Sequence, residues 1–241
     1  MHTLLSSISE NLQFVLLCLF ITAVVVLLAW GGERLVMRRR HALSAARTIT
    51  SIAMFAAISG VLMTIELPLF FAPSFYKLDL SELPVMICAF YLGPVSGVVC
   101  EFLKVVIKLL LKGTSTAFVG DLANFLVDCS FVLPAAIVYQ KVLSKKGALA
   151  SLVLGTLVMT VFGSFFNAWF LIPRFAVMYN LPLDEIIAMG TQVNGAITSL
   201  PTLVLFAVVP FNLLKGVLVS LLTFFLYKRV ERVFFRRAQK R

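Results

Sequence analysis

Long apolar runs separated by basic clusters are the feature that most constrains this chain. Residues 12–30 carry no charge, and about 20 such residues are enough to cross a bilayer as an α-helix. The 241 residues are 61% hydrophobic and 13% charged, whereas soluble domains are nearer half apolar and one quarter charged. These properties predict an all-α integral membrane protein with several spans and no separate soluble domain.

We predict seven spans, with the amino terminus outside and the carboxyl terminus in the cytoplasm. The predicted spans are Leu12–Trp30, Thr48–Ile65, Leu83–Leu92, Val95–Leu111, Gly120–Leu143, Ala148–Ile172 and Pro201–Tyr227. Gly31-Gly32 is expected to end the first, and Pro173 and Arg174 the sixth. This count places every strongly basic loop in the cytoplasm, in agreement with the positive-inside rule. The net charge of +10 therefore indicates contact with anionic lipid rather than with nucleic acid.

Charged and amide residues form stripes on two of these spans. The stripes are Glu101, Lys104, Lys108 and Lys112 on one span, and Asp121, Asn124 and Asp128 on the next. Residues three or four apart share a helix face, and a charge at bilayer depth costs about 2.5–3.5 kcal/mol on insertion scales. We therefore expect the two stripes to face each other around a water-lined or ligand-lined interior, with Glu101 close enough to pair with Lys104. The alternative is that the lysines snorkel and the acids cap helices.

Polar residues deep in the last spans suggest donors for a polar ligand. Lys215 lies more than ten residues from either end of its predicted span, too deep to snorkel easily. Asn212 shares its face, and Asn167 lies near the outer end of the preceding span. A helix–helix hydrogen bond is the alternative role for Asn212.

Two further segments have a structural alternative beside a functional one. Residues 66–84 contain three prolines and several aromatic residues, which predicts an ordered loop that could fold back as a lid. Ala53 and Ala57, and Ala56 and Gly60, lie four residues apart on the second span, a spacing that allows close helix approach. That approach could serve packing within the bundle or contact with a partner protein.

The sequence offers little for catalysis or metal binding. The only histidines are His2 and His41, and the four cysteines, Cys18, Cys88, Cys100 and Cys129, form no CxxC pair. We predict no catalytic residues, no metal site and no cofactor. The chain also lacks a GxxxxGK[ST] phosphate loop, so it cannot hydrolyse ATP itself.

Several short motifs, in this order and spacing over ~170 residues, carry a family resemblance. They are KLDLSELP (77–84), LGPVSG (92–97), FLK (102–104), GDLANF (120–125), NAWFLIP (167–173) and PFNLLKG (210–216). With them the chain resembles the substrate-binding S components of energy-coupling factor (ECF) vitamin transporters, of the riboflavin-specific, RibU-like type.

The resemblance implies a fold and a domain organisation. Residues 48–228 would form the six-helix substrate-binding membrane domain. Residues 1–47 would be an additional N-terminal transmembrane helix with a basic cytoplasmic linker, and residues 229–241 a basic cytoplasmic tail. The additional helix lies outside the family pattern, and the sequence assigns it no function.

The resemblance also implies a high-affinity riboflavin site in the outer half of the bundle, covered by the loop at residues 70–79. Its substrate-binding residues would be Leu78, Asp121, Asn124, Asn167, Asn212 and Lys215. The family commonly has glutamate in GELANF where this chain has Asp121, a small change. Ala53 and Ala57 match the pattern that contacts the transmembrane coupling subunit, which works with two ATP-binding subunits.

Three alternatives remain at this point. The chain could be an S component for another vitamin or small nutrient. It could be a membrane-embedded lipid-modifying enzyme, for which Asp121 and Asp128 are the only candidate carboxylates. It could also be a structural or assembly protein without a ligand, which would leave the deep Lys215 unexplained.

Overall fold

A computed structural model describes residues 2–36, 44–73, 75–114, 118–179, 181–230 and 232. The basic linker at 37–43 and most of the basic tail, 233–241, lie outside the described residues. The α-helices are α1 His2–Val36, α2 Ala45–Met63, α3 Glu82–Leu92, α4 Pro94–Lys112, α5 Val119–Lys141, α6 Lys145–Phe166, α7 Ile172–Tyr179, α8 Leu183–Val193, α9 Leu200–Leu203 and α10 Val209–Val230. The expected all-α membrane architecture is thus confirmed in outline.

One short β-hairpin adds to the helices. Strand β1, Leu67–Pro68, pairs antiparallel with strand β2, Lys77–Leu78, and together they close the loop that follows α2. The predicted ordered loop is therefore present. It ends earlier than expected, because α3 begins at Glu82 and includes Pro84 in its first turn, where the missing N–H of proline is tolerated.

Two long helices continue through prolines, and the predicted end of the sixth span at Pro173 and Arg174 is wrong. A π-helical segment, Asn167–Leu171, joins α6 to α7, and a second, Val204–Val208, joins α9 to α10. Each ends two residues before a proline, Pro173 or Pro210. In a regular α-helix the proline ring would clash with the carbonyl four residues earlier. The wider π turn gives the ring room. The first of these helices therefore extends to Tyr179.

Five helices of the described residues are long and apolar enough to cross a membrane. They are Leu19–Val36, Ala45–Met63, Val119–Lys141, Lys145–Val177 and Leu200–Val230. Helix α3 is apolar but has only 11 residues. Helix α4 has 19 residues but carries four charged side chains. Both depend on their neighbours for burial, and α3 is buried along nearly its whole length at the centre of the bundle.

The bundle is organised around α3 and its turn into α4. Helix α2 packs against α3 and α4, and α6 packs between α5 and α10. Gly93 connects α3 to α4 with φ of 104°, a conformation that glycine adopts without a steric penalty. Pro94 then starts α4 at its first position, which suits the fixed φ of proline. Gln140 of α5 donates to the Phe90 carbonyl at 2.7 Å, tying α5 to this end of α3.

Helix α1 packs on the outside of α4 and α5. The prediction that Gly31-Gly32 ends this helix is wrong, since it continues to Val36. Gly32 lies so close to Ile137 that an added Cβ would be 2.5 Å from its Cδ1, so packing explains this glycine. The Glu33 carboxylate accepts a bond from the Val95 backbone N–H at 2.8 Å, which satisfies a free donor at the start of α4.

Candidate functional site

A cavity of about 520 Å³ lies between the β-hairpin loop and the helices. The loop forms one side through Phe75, Tyr76, Lys77 and Asp79. Helices α5 and α10 form the opposite walls, and the segment from α7 to α8 adds apolar side chains such as Ile186. This size falls within the range of small-molecule sites, about 300–1,000 Å³.

A buried ion network lies at the floor of this cavity. The Lys104 ammonium contacts carboxylate oxygens of Glu101 at 2.5 Å, Glu82 at 2.8 Å and Asp128 at 2.9 Å. The Lys215 ammonium contacts Asp128 at 3.0 Å and Glu82 at 3.1 Å. Glu82 and Asp128 therefore bridge the two lysines, and α3, α4, α5 and α10 each contribute to the network. The predicted neutralisation of the two polar stripes, and the pairing of Glu101 with Lys104, are confirmed.

Three further ion pairs lie toward the mouth of the cavity. Lys108 contacts Asp121 at 2.5 Å, and the Thr114 hydroxyl donates to the other Asp121 oxygen at 2.7 Å. Glu66, which follows α2, accepts from Lys77 of the hairpin at 2.7 Å and from Lys112 of α4 at 2.8 Å. The two pairs made by Glu66 fasten the hairpin loop to the C-terminal end of α4.

The structure brings five of the six predicted substrate-binding residues to the cavity wall. Asp121, Asn124, Asn167, Asn212 and Lys215 all line it. Leu78 is not among the lining residues. Its side chain, on strand β2, is buried in an apolar cluster that includes Tyr76 and Phe211.

The three amides differ in how far they are already engaged. Asn167 uses both ends of its amide, because Oδ1 accepts from the Tyr76 hydroxyl at 2.7 Å and Nδ2 donates to the Gly163 carbonyl at 2.7 Å. Asn124 is exposed toward the cavity. Asn212 is 4% exposed, and its Nδ2 has no hydrogen-bond partner among the described residues. This nitrogen lies against Gly163 of α6, so a buried donor without a partner remains next to the cavity wall, which is costly.

Sequence reasoning missed the aromatic wall of the cavity. Tyr76 packs against Phe75, with ring centroids 4.7 Å apart, and against Phe211, at 5.3 Å. Phe175 and Tyr179 line the cavity from α7. The sequence does offer one signal for this wall: Tyr76 directly precedes the KLDLSELP motif, and Phe211 lies within PFNLLKG. The tertiary contact between them leaves no local pattern.

Taken together, these groups can bind a planar organic molecule with polar edges. The aromatic rings provide a flat apolar wall, and the amides and charged groups provide hydrogen bonds at fixed positions. The carboxylate oxygens of Glu82, Glu101 and Asp128 lie within 4.8 Å of one another, as in a metal site. The Lys104 ammonium already lies among them, however, and supplies the balancing cation.

A bundle of membrane-length helices around a partly aromatic cavity defines a membrane protein that binds a small molecule. Residues 47–227 match the family described as "ECF transporter, substrate-specific component". The chain belongs to this family, and it is therefore a multi-pass membrane subunit of a transporter and not an enzyme.

Named relatives cover most of the chain. It is 30% identical over 193 residues to the riboflavin transporter RibU of Staphylococcus aureus (strain TCH60), covering 80% of this chain and 95% of the relative. It is 30% identical over 175 residues to the riboflavin transporter FmnP of Bacillus subtilis (strain 168), covering 72% and 86%. A solved S component of a bacterial ECF transporter superposes with a TM-score of 0.61 at 28% identity, covering 79% of this chain and 98% of that structure.

Proposed function

We propose that this chain is a riboflavin-binding S component that mediates riboflavin uptake together with an ECF module. The observation that carries the proposal is a cavity that has an aromatic wall and is also lined by the amides of Asn124 and Asn212. The isoalloxazine ring of riboflavin needs such a wall, and its carbonyl-bearing edge and ribityl hydroxyls need amide and ammonium partners. The names of the two relatives support riboflavin over other vitamins.

The ligand would contact Asn124 and Asn212 directly, since both side chains line the cavity. Lys215 and Asp121 would place charged groups beside the ligand, although each group is already paired within the protein. Asn167 would contribute through its amide oxygen Oδ1, which now accepts the hydrogen bond from the Tyr76 hydroxyl. Leu78 would act from strand β2 of the hairpin, by packing in the same apolar cluster as Tyr76 and Phe211.

We further propose that residues 48–228 form the six-helix unit of the family, with the region 1–47 as an additional helix and linker and 229–241 as a tail. Two contacts support the placement of several helix ends at the same side of the bundle. The Glu33 carboxylate near the end of α1 accepts from the Val95 N–H at the start of α4. The Tyr91 hydroxyl near the end of α3 donates to the Tyr227 carbonyl near the end of α10. The basic residues described near this end are Arg34, Lys141, Lys145, Lys146, Lys228 and Arg229. This end would be cytoplasmic and the cavity mouth outside, with the amino terminus also outside.

The outward face of α2 is our candidate contact for the transmembrane coupling subunit. Ala53 and Ala57 are exposed, whereas Ala56 and Gly60 are buried toward the bundle. An added Cβ at Gly60 would lie 2.5 Å from Ile107 Cγ2, so this pair of small residues serves packing. The other pair is free for close approach by a partner helix. Two ATP-binding subunits would supply the energy for uptake.

The test of the ligand is a titration of the purified, ligand-free chain with riboflavin, followed by quenching of flavin fluorescence. We expect saturation near one riboflavin per chain. A parallel titration with thiamine tests the alternative of another vitamin. A folded sample that quenches no riboflavin fluorescence would refute the proposal.

The test of transport uses proteoliposomes that contain the chain with a complete ECF module. We expect riboflavin uptake that requires ATP and stops when the ATP-binding subunits carry inactivating substitutions. Equal uptake by the chain alone would refute dependence on the module.

A further inference from the structure

Gly163 of α6 lies directly beneath the two buried amides of the cavity. Its carbonyl accepts the bond from Asn167 Nδ2 at 2.7 Å. Its Cα faces α10, where an added Cβ would lie 2.8 Å from Asn212 Nδ2 and 3.4 Å from Asn212 Cγ. A single residue without a side chain thus borders both amides.

The geometry separates a positional role from a role in overall packing. A Cβ at 2.8 Å from a nitrogen is too close, so the Asn212 amide would have to move. This amide is the flexible end of a side chain, and it can rotate away at little cost to the helix packing. The next contact, Val127 Cγ1 at 3.3 Å, requires only a small adjustment. The displaced amide belongs to a side chain that lines the cavity, so the consequence falls on ligand binding.

We propose that Gly163 is a positioning residue for substrate recognition. Its missing side chain sets the place of the Asn212 amide, and its carbonyl fixes the orientation of the Asn167 amide. This inference rests on the proposed function, because it takes the Asn212 side chain as a contact of the bound flavin. Substitution by alanine removes no hydrogen-bonding group from the protein and leaves the Gly163 carbonyl in place. Its effect on binding therefore reports the position of Asn212.

A double-mutant cycle with Gly163→Ala and Asn212→Ala tests the proposal. We expect Gly163→Ala to weaken riboflavin binding about tenfold, as for the loss of one hydrogen bond in a buried site. In the Asn212→Ala background the same substitution should leave the Kd unchanged, because the amide that the new Cβ displaces is gone. Equal weakening in both backgrounds would show a general packing effect and overturn the proposal, as would unchanged binding by Gly163→Ala.

Gly155→Ala is the matched control on the same helix. There an added Cβ would lie 2.7 Å from the Phe131 carbonyl oxygen and 3.0 Å from Ala135 Cβ, neither of which lines the cavity. We expect this variant to lower the Tm of the ligand-free protein more than Gly163→Ala does. Its effect on the Kd should be the same with and without Asn212. A dependence of the Gly155→Ala effect on Asn212 would contradict the assignment of the coupling to Gly163.

A second measurement needs no ligand and separates failure of this inference from failure of the proposed function. The side-chain amide NMR signal of Asn212 is identified by its loss in Asn212→Ala. Gly163→Ala should shift this signal, and Gly155→Ala should not. If the parent chain binds no riboflavin, the proposed function fails while the shift still tests the positioning of the amide. An unshifted signal in Gly163→Ala overturns the inference.

Discussion

Replacing Lys215 by methionine tests the buried ion network most directly. The Lys215 ammonium lies 3.0 Å from Asp128 and 3.1 Å from Glu82, and its side chain is 7% exposed. Methionine keeps much of the volume but leaves four buried carboxylates, including Asp79 and Glu101, with Lys104 as the only cation among the described residues of this network. Breaking a buried pair from one side costs about 3–5 kcal/mol. The unfolding equilibrium should therefore shift by about two to four powers of ten.

The assay is equilibrium unfolding in mixed micelles, followed by the helical signal in circular dichroism. Lys112→Met is the matched control, because Lys112 pairs with Glu66 while its side chain is 44% exposed. An exposed pair contributes about 0–1 kcal/mol, so the control should unfold nearly as the parent does. Lys215→Met combined with Asp128→Asn should recover much of the lost stability, since one uncompensated carboxylate is removed together with the lysine.

Two results would refute this reasoning. Equal stability of Lys215→Met and Lys112→Met would mean that the buried lysine contributes no more than an exposed one. A Lys215→Met, Asp128→Asn double variant less stable than the single variant would mean that Asp128 stabilises the bundle by something other than its charge pairing. Riboflavin titrations of the double variant then separate the contribution of Lys215 to binding from its contribution to the fold.

Two other surfaces give independent predictions. Ala57→Leu, on the exposed face of α2, should preserve riboflavin binding and block uptake. Ala56→Leu is the control: Ala56 is 0% exposed, so this change should destabilise the chain by about 1–3 kcal/mol. Loss of riboflavin binding in Ala57→Leu would contradict the prediction. At the cavity mouth, burial raises the pKa of Glu66, but the nearby Lys112 and Lys77 ammoniums lower it by more. The net result is a pKa below its usual 4.5. The Glu66 pairs therefore stabilise the closed loop above that pH and are lost as pH falls through the lowered pKa. Riboflavin release measured by stopped flow should accelerate over that range, and Glu66→Gln should abolish the pH dependence.

Local spacing predicted the polar interior of the protein well. The polar residues of α4 and α5 recur at three or four residues, and the two stripes face each other as expected, with Lys104 paired to Asp128 and Lys108 to Asp121. This succeeded because a charge in a membrane helix has few places to go other than an oppositely charged stripe. The same reasoning placed Asn212 and Lys215 on one face, and both line the cavity.

Features that depend on distant residues were not predicted. The bond between the Tyr76 hydroxyl and Asn167 joins residues 91 positions apart, and no local pattern indicates it. Rules for helix ends predicted a stop at Pro173, yet the helix continues because a π segment precedes the proline. The same rules for helix ends predict a stop at Gly31-Gly32, whereas the helix continues. The lack of a side chain at Gly32 instead leaves room for Ile137.

The charges of α4 also have a consequence for how the protein is made. Each charge near the middle of a helix opposes partition into the bilayer by about 2.5–3.5 kcal/mol, and α4 carries Glu101, Lys104 and Lys108 along its length. Helix α4 therefore cannot enter lipid stably by itself and needs α3 and α5 beside it. Lys215, on α10, is synthesised after all the carboxylates that it neutralises. Biogenesis must keep the earlier helices together, in the translocon or with an insertase, until α10 emerges and completes the bundle.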